Sequence, residues 1–539
     1  MIELMKKIAT ALLTFYLILN LGGCKNNDEG LNAVFKYDIS SNPQTLDPQI
    51  ADEPNSCVII ENVFMGLLRK NKDGSLSEGA AKDYVVSDDG LVYDFKLRQD
   101  IYWIDGDEFE KQCTAADFVY GFHRLFAPET QAPRAGDYFC IKNSSLINSG
   151  KLTDYSMLGV KATGEFELRI TLEYPDSRFL SLLAEPPAMP SNEEFFLNSQ
   201  GKYGLSAECT PSNGAFYVKS WTYDPYAITD INNLILGRNY KNAEAFEICP
   251  AGLNFFIEDE ENFITDFLNR EVSCVAASND EKSLIKGKYS CEEFNSITCG
   301  LLFNKSFSLF SGNDFCKALS LLADRTAIIS AIPEFSAAEG IVPEQVTNYR
   351  KAVGSCSIDE YNRQKAHEYF DRAESRLDSN LFSGARIIVP DAAAQTAVSY
   401  IMQEWQREFG FYCVVEVLDE REYLNRLKSG DYEIAVVELT GEYDSPKAFL
   451  EQFTSASSGN YGKVSDSSFE QLMKEAENST DASEAAEIYF RAEQLLIDKA
   501  YFLPLYYKNV YFFTAEDCED IIYNPFSKTI DFTLAKRFD

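Results

Sequence analysis

Between positions 439 and 453 the chain reads LTGEYDSPKAFLEQF, so that Glu442 stands with a tyrosine and a proline just past an apolar run, where a strand leaves its core. A carboxylate in that place either faces solvent or offers a fixed negative charge to a ligand lying beyond the strand end. Other reactive residue types are poorly arranged for catalysis. His123 and His367 are the two histidines of the chain, which leaves little for a histidine-rich metal site or a Ser-His-Asp triad. Neither G-x-S-x-G nor H-E-x-x-H occurs. Twelve cysteines follow position 24 without a C-x-x-C pair, and their setting in stretches such as SCVII and FYCVVEV reads as buried free thiols. Carboxylate or cysteine chemistry stays open on residue types, which keeps a surface hydrolase as an alternative, while no metal site and no cofactor motif is visible.

Charge narrows the ligand and partner classes. The 84 Asp and Glu against 49 Lys and Arg give a net charge of -35, which repels phosphate backbones and makes nucleic acid a poor partner. The N-terminus carries Lys6 and Lys7, then an apolar run from Ile8 to Leu21. That run is shorter than the roughly 20 residues a spanning helix needs, and it reads as a secretion signal. It ends in LGGC at 21–24, which resembles a bacterial lipobox; the resemblance implies acylation of Cys24 and a chain anchored by lipid outside the cytoplasmic membrane.

The elements that must position Glu442 are visible in the periodicity. From Arg386 the pattern runs IIV, a helix from Asp391 to Phe409, FYCVVEV, a helix around Glu420 to Lys428, then YEIAVVEL. This β-α-β-α-β order predicts a parallel sheet covered on both faces, with ligands bound beyond the carboxyl ends of its strands. Ala394, Val398, Ile401, Trp405 and Phe409 line one face of the first helix, Asp391 can cap it, and Gly410 can end it. Elsewhere Phe166, Leu168, Ile170 and Leu172 alternate with polar residues, as does LVYDFKL at 91–97, predicting half-buried antiparallel strands. Asp481 and Glu484 have capping-box spacing before a long helix. At 539 residues the chain exceeds one core, and the mixture implies α/β lobes with a smaller α+β part.

Eight segments in order resemble the extracellular solute-binding proteins of peptide/nickel ABC importers, above all the oligopeptide-binding members: NPQTLDPQ at 42–49, ENVFMGLLRKNKDG at 61–74, SDDGLVYDFKLRQDIYWIDG at 87–106, TAADFVYGFHRLFAPET at 114–130, SNGAFYVKSW at 212–221, LLFNKS at 301–306, KALSLLADRTAII at 317–329 and RAEQLLIDKAYFLPLYY at 491–507. The sequence departs from the family at WIDGDEFEKQCTAADF, which carries extra residues, and at Cys316, where relatives usually have arginine. The resemblance implies a type II periplasmic-binding fold of three lobes closing on the ligand about a hinge. It divides the chain into a signal at 1–24, a tether at 25–30, domain I from 31–62, 187–298 and 506–539, domain II at 63–186, and domain III at 299–505.

It further implies a non-enzymatic monomer that delivers peptides to a membrane permease and its ATPase. In the family an extended peptide is gripped through its main chain, and an aspartate in a motif like Asp-Tyr-x-x-Pro-x-x-Phe-Leu meets the α-ammonium. The matching residues are Glu442, Tyr443, Pro446, Phe449 and Leu450, with glutamate replacing aspartate. Leu439, Thr440 and Gly441 are expected as backbone contacts, ADEPN at 51–55, with Ala51, Asp52 and Glu53, as the partner strand acting through its backbone, and Tyr506 or Tyr507 as pocket aromatics. Arg238, Arg350, Arg386 and Lys447 are candidates for the ligand's carboxylate. The same fold also serves dipeptides, nickel complexes, glycans and signalling peptides, so cargo stays open at this point.

Overall fold

The computed structural model describes residues 32–538 apart from 107, 108, 177, 225, 227–231, 376, 378–381, 442 and 480. Cys24 and Glu442 therefore lie outside the described residues.

The first lobe begins with strand β1 (Val34–Ile39), followed by helix α1 (Pro54–Val63). Strands β2 (Phe216–Thr222), β3 (Asn233–Arg238) and β4 (Gly252–Ile257) complete a sheet in the order β1-β4-β3-β2, in which β1 and β4 run parallel. The chain between α1 and β2 builds the inserted part. Its antiparallel strands Ala81–Val86, Val92–Leu97, Glu167–Thr171 and Val160–Gly164 lie side by side in that order. Tyr93, Phe95, Leu97, Leu168 and Ile170 are buried, as the alternation predicts. His123 is half-buried against the Tyr155 ring, 5.1 Å between centroids, and not on an exposed helix face, whereas His367 is exposed and meets Glu408 at 3.1 Å.

Strands β5 (Cys274–Ala277), β6 (Ser290–Phe303), β7 (Ser383–Val389), helix α2 (Ala392–Phe409), β8 (Tyr412–Val417), helix α3 (Glu420–Ser429), β9 (Ile434–Thr440), helix α4 (Ala482–Asp498) and β10 (Phe502–Thr514) form the second large body. Among the described residues the sheet order is β5-β10-β6-β9-β7-β8. Strand β7 runs parallel to β8 and β9, while β9 runs antiparallel to β6. The caps fall where the residue types predict: the Asp391 carboxylate accepts from Ala394 N, and Gly410 and Gly430 take left-handed C-caps. Asp481 caps α4, but Glu484 turns to the Ser479 hydroxyl, so the reciprocal half of the box is not made.

Both faces of this sheet are covered. Ile387, Val389, Ile434 and Val436 join one core with Ala394, Val398, Ile401 and Trp405 of α2. Ile388, Ala435, Val437 and Leu439 point the other way, into a second core with Tyr423 and Leu427 of α3 and Ala485, Tyr489 and Leu496 of α4. Apolar residues at successive positions, 387–389 and 434–437, are the consequence.

The lobes are joined through β6 and β10. These long strands pair with each other, and while β10 continues to β5 beside the first lobe, β6 continues to β9 in the other. Their ladder slips between Asn295 and Ile297 and again between Cys299 and Gly300, where Pro504 has no N–H to contribute. A Cβ on Gly300 would come within 2.4 Å of the Phe502 ring, so the close approach of the two strands requires glycine. The twelve cysteines after position 24 are free thiols; eight are buried, as their apolar settings predict, while Cys57, Cys209 and Cys356 are half-buried and Cys291 is exposed.

Candidate functional site

A cleft of about 790 Å³ opens between the lobes, with β6 and β10 as its floor through Ile297, Lys508 and Asn509. One wall comes from β1 and the start of α1, the other from the first turn of α2 and the end of β9. It lies beyond the carboxyl ends of β1 and β9, the place where open α/β sheets bind ligands. The Asn279 amide spans the lobes by donating to Glu334 O at 2.8 Å.

Strand β9 supplies an open edge. The β6 ladder runs along one side from Ile434 to Thr440, while β7 pairs on the other side at Ile434 and Ala435 alone. From Val436 onward that side has no strand beside it among the described residues. Two side chains reach it: the Tyr423 hydroxyl donates to Val436 O at 2.6 Å and the Gln452 amide donates to Thr440 O at 2.9 Å. Main-chain groups two residues apart face the same way on a strand, so the N–H and C=O of Glu438 lie on this edge between them. The Glu438 and Thr440 side chains are exposed and the Leu439 side chain is buried. Gly441 follows with the Phe449 ring so near that a Cβ would come within 2.6 Å of it.

Glu438 lines the cleft, and the sequence reading missed it. The period-two rule applied backwards from Thr440 is the signal that finds it. Its carboxylate and that of Asp391 both pair with Lys508. Burial acts to lower the Lys508 pKa, but Glu438, helped by Asp391, outweighs it and holds the ammonium above the usual lysine range.

The partner strand expected at 51–55 does not form. Pro54 opens α1 at its first turn, Glu53 is the N-cap with its carboxylate accepting from Asn55 N and Ser56 N, and Ala51 N donates back to Asp47 O at 3.0 Å. Ala51 is buried and Asp52 exposed, and the cleft wall here is made by Pro54 and Asn55. Tyr506 and Tyr507 are likewise packed inside the second body: the Tyr506 ring backs Phe335 at 5.1 Å, and the Tyr507 hydroxyl accepts from Glu339 N at 3.1 Å. The aromatics that border the cleft are Tyr37, Phe263, Phe335 and Tyr523.

The four cations considered for the ligand's carboxylate are engaged away from the cleft. Arg350 pairs with Glu493, Arg386 with Asp431 and Glu433, and Lys447 with Glu477, while Arg238 donates to the carbonyls of Cys249 and Pro250. Lys528, which periodicity and motif reading passed over, borders the cleft, is exposed, and forms no ion pair among the described residues.

Beyond Glu442 the motif residues are structural. Tyr443 donates to Glu451 at 2.7 Å beneath the Arg178 guanidinium, Pro446 opens a short helix capped by Ser445, and Phe449 and Leu450 are buried. No helix of the described residues is long and apolar enough to cross a membrane.

Comparison with known proteins agrees with this architecture. The profile of the bacterial extracellular solute-binding proteins, family 5 Middle, matches residues 75–461. The probable deoxycholate-binding periplasmic protein YgiS of Escherichia coli is 26% identical over 499 residues, covering 88% of each chain. The oligopeptide-binding protein OppA of Bacillus subtilis is 25% identical over 536 residues, covering 93% of each. Among solved structures, peptide-bound Listeria monocytogenes OppA superposes with a TM-score of 0.67 at 22% identity over 94% of this chain and 99% of that one. The Escherichia coli murein tripeptide-binding protein MppA gives 0.70 at 20% identity over 95% and 99%. A match of the family profile over most of the sequence, with the three-lobed fold beneath it, places the chain in the bacterial extracellular solute-binding proteins of family 5.

Proposed function

We propose that this protein captures oligopeptides in the interlobe cleft and hands them to the permease and ATPase of an ABC importer, held at the membrane by lipid on Cys24. The observation that carries the reading is the unpaired edge of β9 facing a cleft of about 790 Å³. An extended peptide added there finds main-chain partners at Glu438 and Thr440, and beyond the strand end at Gly441, that are indifferent to its side chains, whereas the Leu439 main chain turns to β6. Glu442 supplies the anion for the α-ammonium, and Lys528 meets the peptide's carboxylate. Capture and release need only relative motion of the lobes about β6 and β10, with no chemical step and no cofactor.

The names of the relatives are divided between peptides and deoxycholate. The charges favour peptides. The cleft is bordered by Asp38, Glu260, Asp280, Glu281, Glu334, Asp391 and Glu438 against Lys508 and Lys528, a field that opposes an anionic steroid. Native mass spectrometry of the mature chain purified without unfolding tests the reading. A mixture of bound peptides of a few residues supports it; a single non-peptide ligand overturns it. Replacement of Cys24 by serine should release the protein from the membrane fraction, and retention of that variant would refute the anchor.

A further inference from the structure

Asp38 sits at the carboxyl end of β1, borders the cleft, and is 4% exposed. Among the described residues its carboxyl makes no hydrogen bond and no ion pair, and Oδ2 is buried without a partner. A buried polar oxygen left unsatisfied costs free energy in the empty protein, which a ligand bringing the missing donor recovers. Beside the Tyr37 hydroxyl and the Cys274 thiol, the charged groups of the first lobe that act on Asp38 are the carboxylates of Glu258 at the end of β4 and of Asp266 and Glu271 beyond it. They add negative potential. Around it the rings of Tyr37, Phe263 and Tyr523 offer apolar and π surface along which the stem of a long cationic side chain can lie.

We infer that Asp38 is a cation subsite of the cleft, receiving an ammonium or guanidinium group carried on the cargo, and that the preferred cargo is therefore a basic peptide. This rests on the peptide reading above and adds its substrate class. The seven carboxylates bordering the cleft face two lysines, of which Lys508 is already held by Asp391 and Glu438. The main-chain contacts along β9 are blind to side chains, so selectivity has to come from such a wall.

The test is calorimetric titration of the mature chain with tri- to pentapeptides in which one lysine is moved along an alanine backbone, each beside its Nε-acetyl-lysine and norleucine counterparts. At the favoured position lysine binds about tenfold or more tighter than either counterpart, as a charge-assisted contact requires. In Asp38→Asn the preference falls to within about twofold while binding of the norleucine peptide is unchanged, which shows that the variant is folded. Equal affinity for lysine and acetyl-lysine in the native protein, or a preference that survives Asp38→Asn, overturns the subsite. If no peptide binds, the peptide reading fails, and titration with spermidine decides the subsite separately: binding lost in Asp38→Asn keeps it, and no binding removes it.

Discussion

Lys508 on β10 and Glu438 on β9 form an ion pair across the intervening strand β6, at the level of Ile297, which lies opposite both Lys508 and Thr440. The pair fastens the strands that join the lobes to the edge that faces the cleft. It also holds the Glu438 carboxylate against the floor, leaving that residue's main chain to a ligand. The ladder slip between Asn295 and Ile297 falls at the same level, where the pairing of β6 with β10 is locally interrupted.

Glu442→Ala should weaken free-amine peptides roughly 10- to 100-fold, the equivalent of about 1.5–3 kcal/mol for a charge-assisted contact, and N-acetylated peptides far less. Titration of both series measures this. Equal losses would remove the ammonium role.

Lys528→Glu should weaken peptides with a free carboxylate by roughly three- to tenfold, a modest effect because the side chain is exposed, and leave C-terminal amides within about twofold. An equal effect on both series would exclude Lys528 as the carboxylate partner.

Burial, with Asp266, Glu258 and Glu271 nearby, pushes the Asp38 carboxyl up to about 7. Its folded pKa lies above that of the unfolded chain, so the folded state holds the proton more tightly. The resulting stability is present at acid pH and is lost as pH rises from the ordinary carboxylate range to about 7. Lys528 also borders the cleft, as does Lys508, whose ammonium Glu438 and Asp391 hold above the usual lysine range. Asp38→Asn should therefore melt higher than the native protein at pH 8 and nearly with it at pH 5. Binding of a lysine peptide to the native protein should strengthen across the same interval, since the cation needs the ionised carboxylate. Parallel melting curves at both pH values would contradict the assignment.

Glu493→Ala should be the most destabilising of these changes. Glu493 is fully buried, pairs with Arg350, and accepts from Ile341 N at 2.7 Å, Val342 N at 2.9 Å and the Tyr349 hydroxyl at 2.8 Å. Its removal leaves a buried guanidinium without its counter-charge, although still bonded to Val342 O and Gly354 O, and two main-chain donors unsatisfied, a cost of about 3–5 kcal/mol in denaturant unfolding. A loss below about 1 kcal/mol would show that water reaches the site.

The β-α-β-α-β segment was legible because each element carries its own signal: apolar strands, a helix face repeating every three or four residues, Asp391, Gly410 and Gly430 at the ends. The resemblance supplied the cleft between lobes. Ala51–Glu53 misled because an extended motif was assumed to continue, whereas Pro54 fits the first turn of a helix and Glu53 caps it. Tyr506 and Tyr507 could not be assigned by residue type, since an aromatic on a central strand serves a core as readily as a pocket. Asp38 and Lys508 come from opposite ends of the chain, and only tertiary packing brings them, with Lys528, to one cleft.

The central claim is that the cleft grips an extended peptide along β9 with its positive charge against the acidic wall. A crystal structure of the mature chain with a lysine-containing pentapeptide tests it most directly. The account predicts an extended peptide hydrogen-bonded to the main chain at Glu438 and Thr440, with the lysine ammonium within about 3 Å of Asp38. A peptide bound elsewhere, or one in the cleft whose main chain makes no contact with β9, would contradict it.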